Sequence, residues 1–377
     1  GILRNNCNNE RPDPFMLILI VAGDPSGDVH GAKLIAELKR GGARVAAVGG
    51  PLMKLAADEF IEDLASRGVT GFWEPAAKLG FLLKLGLRLR RFMSERRPDA
   101  VVCIDFYGFN RRVLGLAYSA KIPAFYYISP QVWASRPGRV NVLKRLVRRM
   151  FVIFPFEETL YTKAGLPCSF VGHPLLDSVP PPREDGALGT PLTVGLLPGS
   201  RAAEVRKHLP LFLESFRLFK RHFPDSRALV FAADNLPDTA YALPPDVELV
   251  RESDYKRRRM TDLVLSSSGT ATLENALLAL PMVVIYKLSW PTYLIARAII
   301  KVPYIAMVNI LAGKALVPEL IQHEATAPRI AQAAVRLLED PRRHEALRCE
   351  LKALRACLGE PGGAARAAAM ILAESRP

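Results

Sequence analysis

LLPGSRAAEVRKHLP, Leu196 to Pro210, is the stretch that decides how this chain reads. The run Leu192 to Leu197 is short, apolar and contains Val194, the pattern of a strand buried on both faces of a parallel sheet. Pro198 and Gly199 end the strand, and a helical pattern restarts directly behind them. Gly199 lets the backbone approach an anion closely, Ser200 offers a hydroxyl and an N-cap, and Arg201 carries a planar guanidinium that grips phosphate with two parallel bonds. Amides opening the helix point the same way. The stretch is either half of a nucleotide-diphosphate site or an ordinary strand-to-helix turn with a solvated arginine, and the rest of the chain has to choose.

Outward from it, apolar strand-sized runs alternate with helical patterns. In the first half they are Met16 to Ala22, Arg44 to Val48, Ala100 to Ile104, Ala124 to Ile128 and Met150 to Phe154. After a Pro-rich break, Ser178 to Thr190, they resume at Leu192, Ala228 to Ala232, Val247 to Val250, Leu263 to Ser266 and Met282 to Tyr286. This is the rhythm of α/β domains with parallel sheets. A length of 377 residues also exceeds what one core usually serves. The expected organisation is an N-terminal extension over 1–15, a first domain over 16–180, a linker over 181–190, a second domain over 191–340, and helices over 341–377 able to cross back to the first domain.

Half of the residues are hydrophobic and 23% are charged, so the chain is globular. A net charge of +14 calls for an anionic partner: nucleic acid, a membrane surface or a phosphorylated substrate. Cys7, Cys103, Cys168, Cys349 and Cys357 show no metal-type pairing and read as reduced thiols of a cytoplasmic protein. With six scattered histidines, no metal site and no cofactor is expected. No apolar run reaches the length of a membrane span.

Five further segments carry candidate site residues. In AGDPSGDVHGAKL, Ala22 to Leu34, the small residues Gly23, Ser26 and Gly27 leave room for a ligand above the sheet edge, while Asp24 and Asp28 either hold sugar hydroxyls or cap the helix. DAVVCIDFYGFN, Asp99 to Asn110, delivers Asp105 at the carboxyl end of a buried strand, where open α/β sheets bind ligands. Asp105 is then a general base made more basic by desolvation, or a carboxylate that tethers its loop. Ser129 and Trp133 lie at the mouth of the next strand, placed to hold a sugar, although a structural tryptophan looks the same. In LSSSGTATLENALLALP, Leu265 to Pro281, Ser268, Gly269 and Thr270 would present helix-start amides to a phosphate, with Glu274 one turn on, either accepting ribose hydroxyls or closing a capping box. Asn309, in an apolar stretch, needs partners: a ligand or the local backbone.

One helical segment departs from the soluble pattern. Gly71 to Arg97 groups Phe72, Trp73, Leu79, Phe81, Leu82 and Leu83 before Arg88, Arg90, Arg91, Arg96 and Arg97. It is either an apolar patch rimmed by arginines, suited to an anionic bilayer edge, or a core helix with a solvated basic face.

AGDPSGDVHGA, IDFYGFN, YISPQVWAS, FPFEETLYTKAGLPCSFVGHPLLD, LLPGSRAAEV, SSGTATLE and VNILAGKALVPELIQ occur in an order and spacing that resemble the lipid-A-disaccharide synthase family, glycosyltransferase family 19. The resemblance runs from about Met16 to about Gln322. It implies a GT-B fold, two Rossmann-like domains facing across a cleft, and a hexosyltransferase that joins UDP-2,3-diacylglucosamine to 2,3-diacylglucosamine 1-phosphate with inversion and release of UDP. It also implies Asp105 as the base, Arg201 at the diphosphate, Glu274 and Asn309 near the donor, and a basic aromatic segment facing the cytoplasmic side of the inner membrane. Nucleic acid is then not a partner, and a homodimer stays open. The chain departs from the family pattern at Asp24, usually Glu, at Gly108, usually Asp, and at Ser135, usually Trp. Another GT-B enzyme, such as a UDP-sugar 2-epimerase or a muramyl-type transferase, is the alternative; a non-catalytic basic binding protein is a more distant one.

Overall fold

The computed structural model describes residues 15–66, 75–130, 138–287 and 304–375. They divide into two compact units, Gly1–Pro174 with Gly362–Pro377, and Leu175–Pro361.

The first unit is built from β1 (Leu17–Ala22), α1 (Pro25–Arg40), β2 (Arg44–Gly49), α2 (Pro51–Ala56), β3 (Glu59–Asp63), α3 (Pro75–Arg96), β4 (Ala100–Ile104), α4 (Tyr107–Ser119), β5 (Ala124–Tyr127), α5 (Arg139–Leu146), β6 (Arg149–Val152), α6 (Pro155–Lys163) and β7 (Cys168–Phe170). Its sheet runs β3-β2-β1-β4-β5-β6-β7, with all neighbours parallel. Every residue of β1 and β4 is buried, as expected for central strands covered on both faces. Sequence patterning does not single out β3 and β7: the edge strand EFIED buries only Ile61, and β7 is three half-buried residues.

The second unit contains β8 (Thr193–Leu197), α7 (Ala202–Phe219), β9 (Arg227–Phe231), β10 (Val247–Val250), β11 (Leu263–Ser267), α8 (Thr270–Leu277), β12 (Met282–Tyr286), α9 (Met307–Ala312), β13 (Glu319–Ile321), α10 (Ala327–Leu338) and α11 (Pro341–Cys357). The sheet order is β10-β9-β8-β11-β12-β13, again parallel throughout.

Two boundaries differ from the sequence expectation. Residues 181–190 are not a free linker: Arg183 is buried and donates to Asp262 at 3.0 Å, and Asp262 also accepts the amides of Gly189 and Thr193. A buried carboxylate with that many donors anchors the segment to the second unit. The C-terminal helices also part company. The last one, α12 (Gly363–Ser375), packs on α1, with Glu374 bonded to Arg149 at 2.5 Å and Arg366 to the Val171 carbonyl at 2.7 Å. By contrast, α11 stays with the second unit.

Helix α3 resolves part of the ambiguity of its segment. Leu85, Leu89, Phe92 and Met93 enter the core of the first unit, and Phe81 and Leu82 pack against that core, so these last two are not the exposed apolar face. The exposed stripe keeps Leu79 and Leu83 of the expected patch and adds Leu87, 50%, 55% and 66% exposed, at the four-residue spacing that places side chains above one another on a helix. Arg88, Arg90 and Arg91 are exposed beside it. Phe72 and Trp73 lie outside the described residues.

Candidate active site

Sheet register creates the first cluster. Ala22 of β1 pairs with Ile104 of β4, so the residues that follow, Asp24 and Asp105, emerge side by side at the carboxyl edge. Asp105 and Phe106 both take left-handed backbone, φ 40° and 43°, a costly conformation for residues other than glycine and one that clusters at functional sites. Three contacts hold it. The Asn110 Nδ2 donates to the carbonyls of Ile104 and Asp105 at 2.9 and 2.8 Å, the Tyr126 hydroxyl donates to the Asp105 carbonyl, and the Phe106 ring lies where a Cβ on Gly23 would be, 2.0 Å from its nearest carbon. The bend is thus tethered chiefly through backbone carbonyls and other side chains, and the Asp105 carboxylate adds only the bond it accepts from the adjoining Phe106 amide. That carboxyl is pushed up to about 6, by burial first and by the charge of Asp24 second, with the Phe106 amide pulling the other way.

Its neighbours settle into structural roles. Asp24 caps α1, accepting from the Gly27 amide at 2.6 Å. Gly27 is required there, since a Cβ would sit 2.9 Å from that carboxylate oxygen; Ser26 beside it is exposed. Asp28 caps a different helix, α2, by accepting the amides of Gly50, Leu52 and Met53. Ser129, expected at a sugar, is buried, donates to the Pro130 carbonyl and shares a 2.6 Å bond with the Tyr161 hydroxyl. Trp133 lies outside the described residues.

In the second unit the same logic brings two loops together. Leu197 of β8 pairs with Ser266 of β11, so the turns that follow them lie on one edge. Gly199 adopts φ 127°, and a Cβ there would stand 2.6 Å from the Cβ of Glu204. Ser200 is not the N-cap; Arg201 occupies that position. Glu204 reaches back, accepting the amides of Ser200 at 3.0 Å and Arg201 at 3.3 Å and the Arg201 guanidinium at 3.0 Å. Glu204 stands at N3 of the helix that Arg201 caps, so it closes a capping box, and the donors of the loop converge on this one carboxylate. The Arg201 side chain is 79% exposed. His208 bonds the Pro198 carbonyl at 2.9 Å and Asn235 the Ser200 carbonyl at 3.1 Å, fixing the turn.

At the second loop, Ser268 gives its amide to the Ile285 carbonyl at 3.1 Å, so it is not one of the presented donors. Gly269, φ 139°, and Thr270 are exposed at the start of α8. Glu274 lies two residues past the N3 position of a helix capped at Gly269, which removes the capping box as its explanation. Its carboxylate is instead held by Arg258, Nη1 to Oε2 at 2.8 Å. Asn309 is fully buried, on helix α9 rather than in a loop. Its Nδ2 donates to the Val317 carbonyl and to Glu319, and its Oδ1 accepts the Val317 amide. The amide's donors are engaged by the chain itself, tying α9 to the approach of β13.

Sequence reasoning passed over Arg258, Asn275, Asn110 and Glu204. The first sits inside the run Lys256 to Arg259, which reads as solvated charge; only the fold buries it.

The family model described as Lipid-A-disaccharide synthetase matches residues 18–363. The chain belongs to the lipid-A-disaccharide synthase family. A lipid-A-disaccharide synthase of Syntrophus aciditrophicus is 45% identical over 94% of this chain and 97% of its own length, and one of Geobacter metallireducens is 40% identical over 95% and 97%. Among solved structures, the calicheamicin glycosyltransferase CalG4 superposes with a TM-score of 0.61 at 20% identity, covering 96% of this chain and 98% of its own. Acinetobacter baumannii MurG gives 0.61 at 15%, covering 96% and 100%. A putative UDP-N-acetylglucosamine 2-epimerase of Listeria monocytogenes gives 0.63 at 10%, covering 96% and 97%. These likenesses establish the GT-B fold, and the family is one of glycosyltransferases that make the lipid A disaccharide.

Proposed function

We propose that this chain transfers 2,3-diacylglucosamine from its UDP conjugate to the 6-hydroxyl of 2,3-diacylglucosamine 1-phosphate, giving the β-1,6-linked disaccharide 1-phosphate and UDP. The observation that carries the chemistry is Asp105, a carboxyl raised to about 6 on a strained bend at the carboxyl edge of the first sheet. Such a group is a base matched to neutral pH: it takes the hydroxyl proton as the oxygen attacks the anomeric carbon from the face opposite UDP. In the second unit, the departing diphosphate is received by Arg201 and the amides of Ser200 and Thr270, taking over from Glu204 the donors of Ser200 and Arg201 that this carboxylate holds in the chain alone. Glu274 takes the ribose.

Purified full-length chain incubated with the two lipid substrates is expected to yield disaccharide and UDP at equal rates with and without a chelator. Consumption of the UDP-sugar in the absence of acceptor, without disaccharide, would replace this reading with an epimerase, the activity named for one of the fold's neighbours.

The same proposal includes docking on the anionic cytoplasmic face of the inner membrane. Leu79, Leu83 and Leu87 present an exposed apolar stripe, with Arg88, Arg90 and Arg91 beside it. Among the described residues no helix is long and apolar enough to cross a membrane. The chain is expected to sediment with vesicles containing phosphatidylglycerol. The Leu83→Glu, Leu87→Glu double variant should lose most of that binding while keeping its thermal midpoint; unaltered sedimentation would remove the stripe from the contact.

A further inference from the structure

Arg258 is 7% exposed, yet it is not idle packing. Its Nε and Nη2 both donate to the Asn275 Oδ1, at 2.8 and 2.6 Å. Nη2 also donates to the Ala271 carbonyl at 3.0 Å, and Nη1 to the Glu274 Oε2 at 2.8 Å. One rigid guanidinium therefore clamps the first turns of α8 at three residues, Ala271, Glu274 and Asn275. A planar fork fixes direction as well as distance. The residue that carries it is delivered by a strained turn: Tyr255 has φ 60°, and its ring lies 5.5 Å from the Arg258 guanidinium. The Glu274 side chain keeps 18% of its surface exposed, and the clamp leaves Oε1 as the carboxylate oxygen not bonded to Arg258.

We propose that Arg258 is a positioning residue for the donor: by holding Oε2 it presents Oε1 of Glu274 to the ribose diol, and so sets the preference for a ribonucleoside diphosphate over its 2′-deoxy counterpart. This rests on the reading of Glu274 as the ribose ligand. A carboxylate oxygen accepts two hydrogen bonds, enough for both hydroxyls of a ribose. Without the clamp Oε2 loses its fixed partner and the side chain keeps only its contact with the Tyr255 hydroxyl, so the geometry in which Oε1 meets both hydroxyls has to be found anew at each binding event. Arg258 bonds neither Ser200 nor Arg201 and its fork ends on Ala271, Glu274 and Asn275, so loosening it weakens ribose recognition more than the chemical step.

The test is a pair of binding titrations on the full-length chain, with UDP and with 2′-deoxy-UDP, alongside steady-state kinetics. The parent is expected to favour UDP about tenfold, as befits one hydrogen bond to a charged group. In Arg258→Met that ratio should fall towards one, chiefly through weaker UDP binding, with KM for the donor raised and kcat little changed. Arg258→Lys keeps the charge and the stem but cannot reach three acceptors at once; it should lower the ratio at least threefold, and it decides the matter if the methionine variant does not fold. A ratio that survives in folded Arg258 variants but is abolished in Glu274→Gln overturns the positioning role and leaves the ribose ligand standing. A parent chain that does not distinguish the two nucleotides overturns both.

Discussion

Asp105→Asn lowers disaccharide formation about a thousandfold, within the range typical of losing a general base, while UDP binding is retained. The substitution is close to isosteric, and Asn accepts left-handed backbone more readily than most residues, so the bend at φ 40° persists. The parent's pH dependence follows from the carboxyl's value of about 6. The base works ionised, so kcat/KM rises with pH through about 6 and levels off above it. An opposite limb, or a flat profile, would give the proton transfer to another group. Stability moves the other way. Because the folded-state value lies above the ordinary value of about 3.9, ionising Asp105 costs folding free energy; the cost is absent below about pH 4, grows as pH rises through 6 and is constant beyond. Asp105→Asn is therefore expected to melt at a higher temperature than the parent at pH 7.5, with the gap narrowing towards pH 4. A gain in stability accompanied by loss of activity is what a site held under strain predicts.

Arg201→Ala is expected to weaken UDP binding about tenfold and to slow transfer by about a hundredfold or more, the scale of losing one group that stabilises a departing anion. Its structural cost is small. The side chain is 79% exposed and its partner in the chain is Glu204, three residues on, a surface pair worth a few tenths of a kcal/mol. The thermal midpoint should hardly change, which separates a binding defect from an unfolding one. An unaltered UDP affinity in the folded variant would remove Arg201 from the diphosphate. Asp105→Asn and Arg201→Ala then fail differently: the first binds the nucleotide as the parent does, the second binds it more weakly.

Much of this was legible in the sequence, for a physical reason. Central parallel strands are buried on both faces, so LILIVA, AVVCI and MVVIY write themselves as continuous apolar runs. The loops behind them need glycine where the backbone turns left-handed, as at Gly199 and Gly269. Edge strands escaped notice because one side faces water: EFIED reads as a charged turn. Side chains with two chemically sensible uses were not separable. Asp24, Ser129 and Asn309 carry the polar groups of a ligand site, but Asp24 caps a helix, Ser129 meets Tyr161, and Asn309 satisfies the backbone of Val317.

The sequence by itself determined the family, the α/β alternation, and the two segments from which a base and an anion-binding arginine would come, because these depend on local pattern: period, loop chemistry and order along the chain. Only the tertiary structure decided which polar groups are already satisfied and which charge is buried. It set Asp24 beside Asp105 through the pairing of β1 with β4, drew Arg258 out of a solvent-like run onto Glu274, and turned Phe81 and Leu82 inward while leaving Leu83 and Leu87 outside. Hydrogen-bond satisfaction and desolvation are properties of neighbours distant in sequence, and no local pattern encodes them.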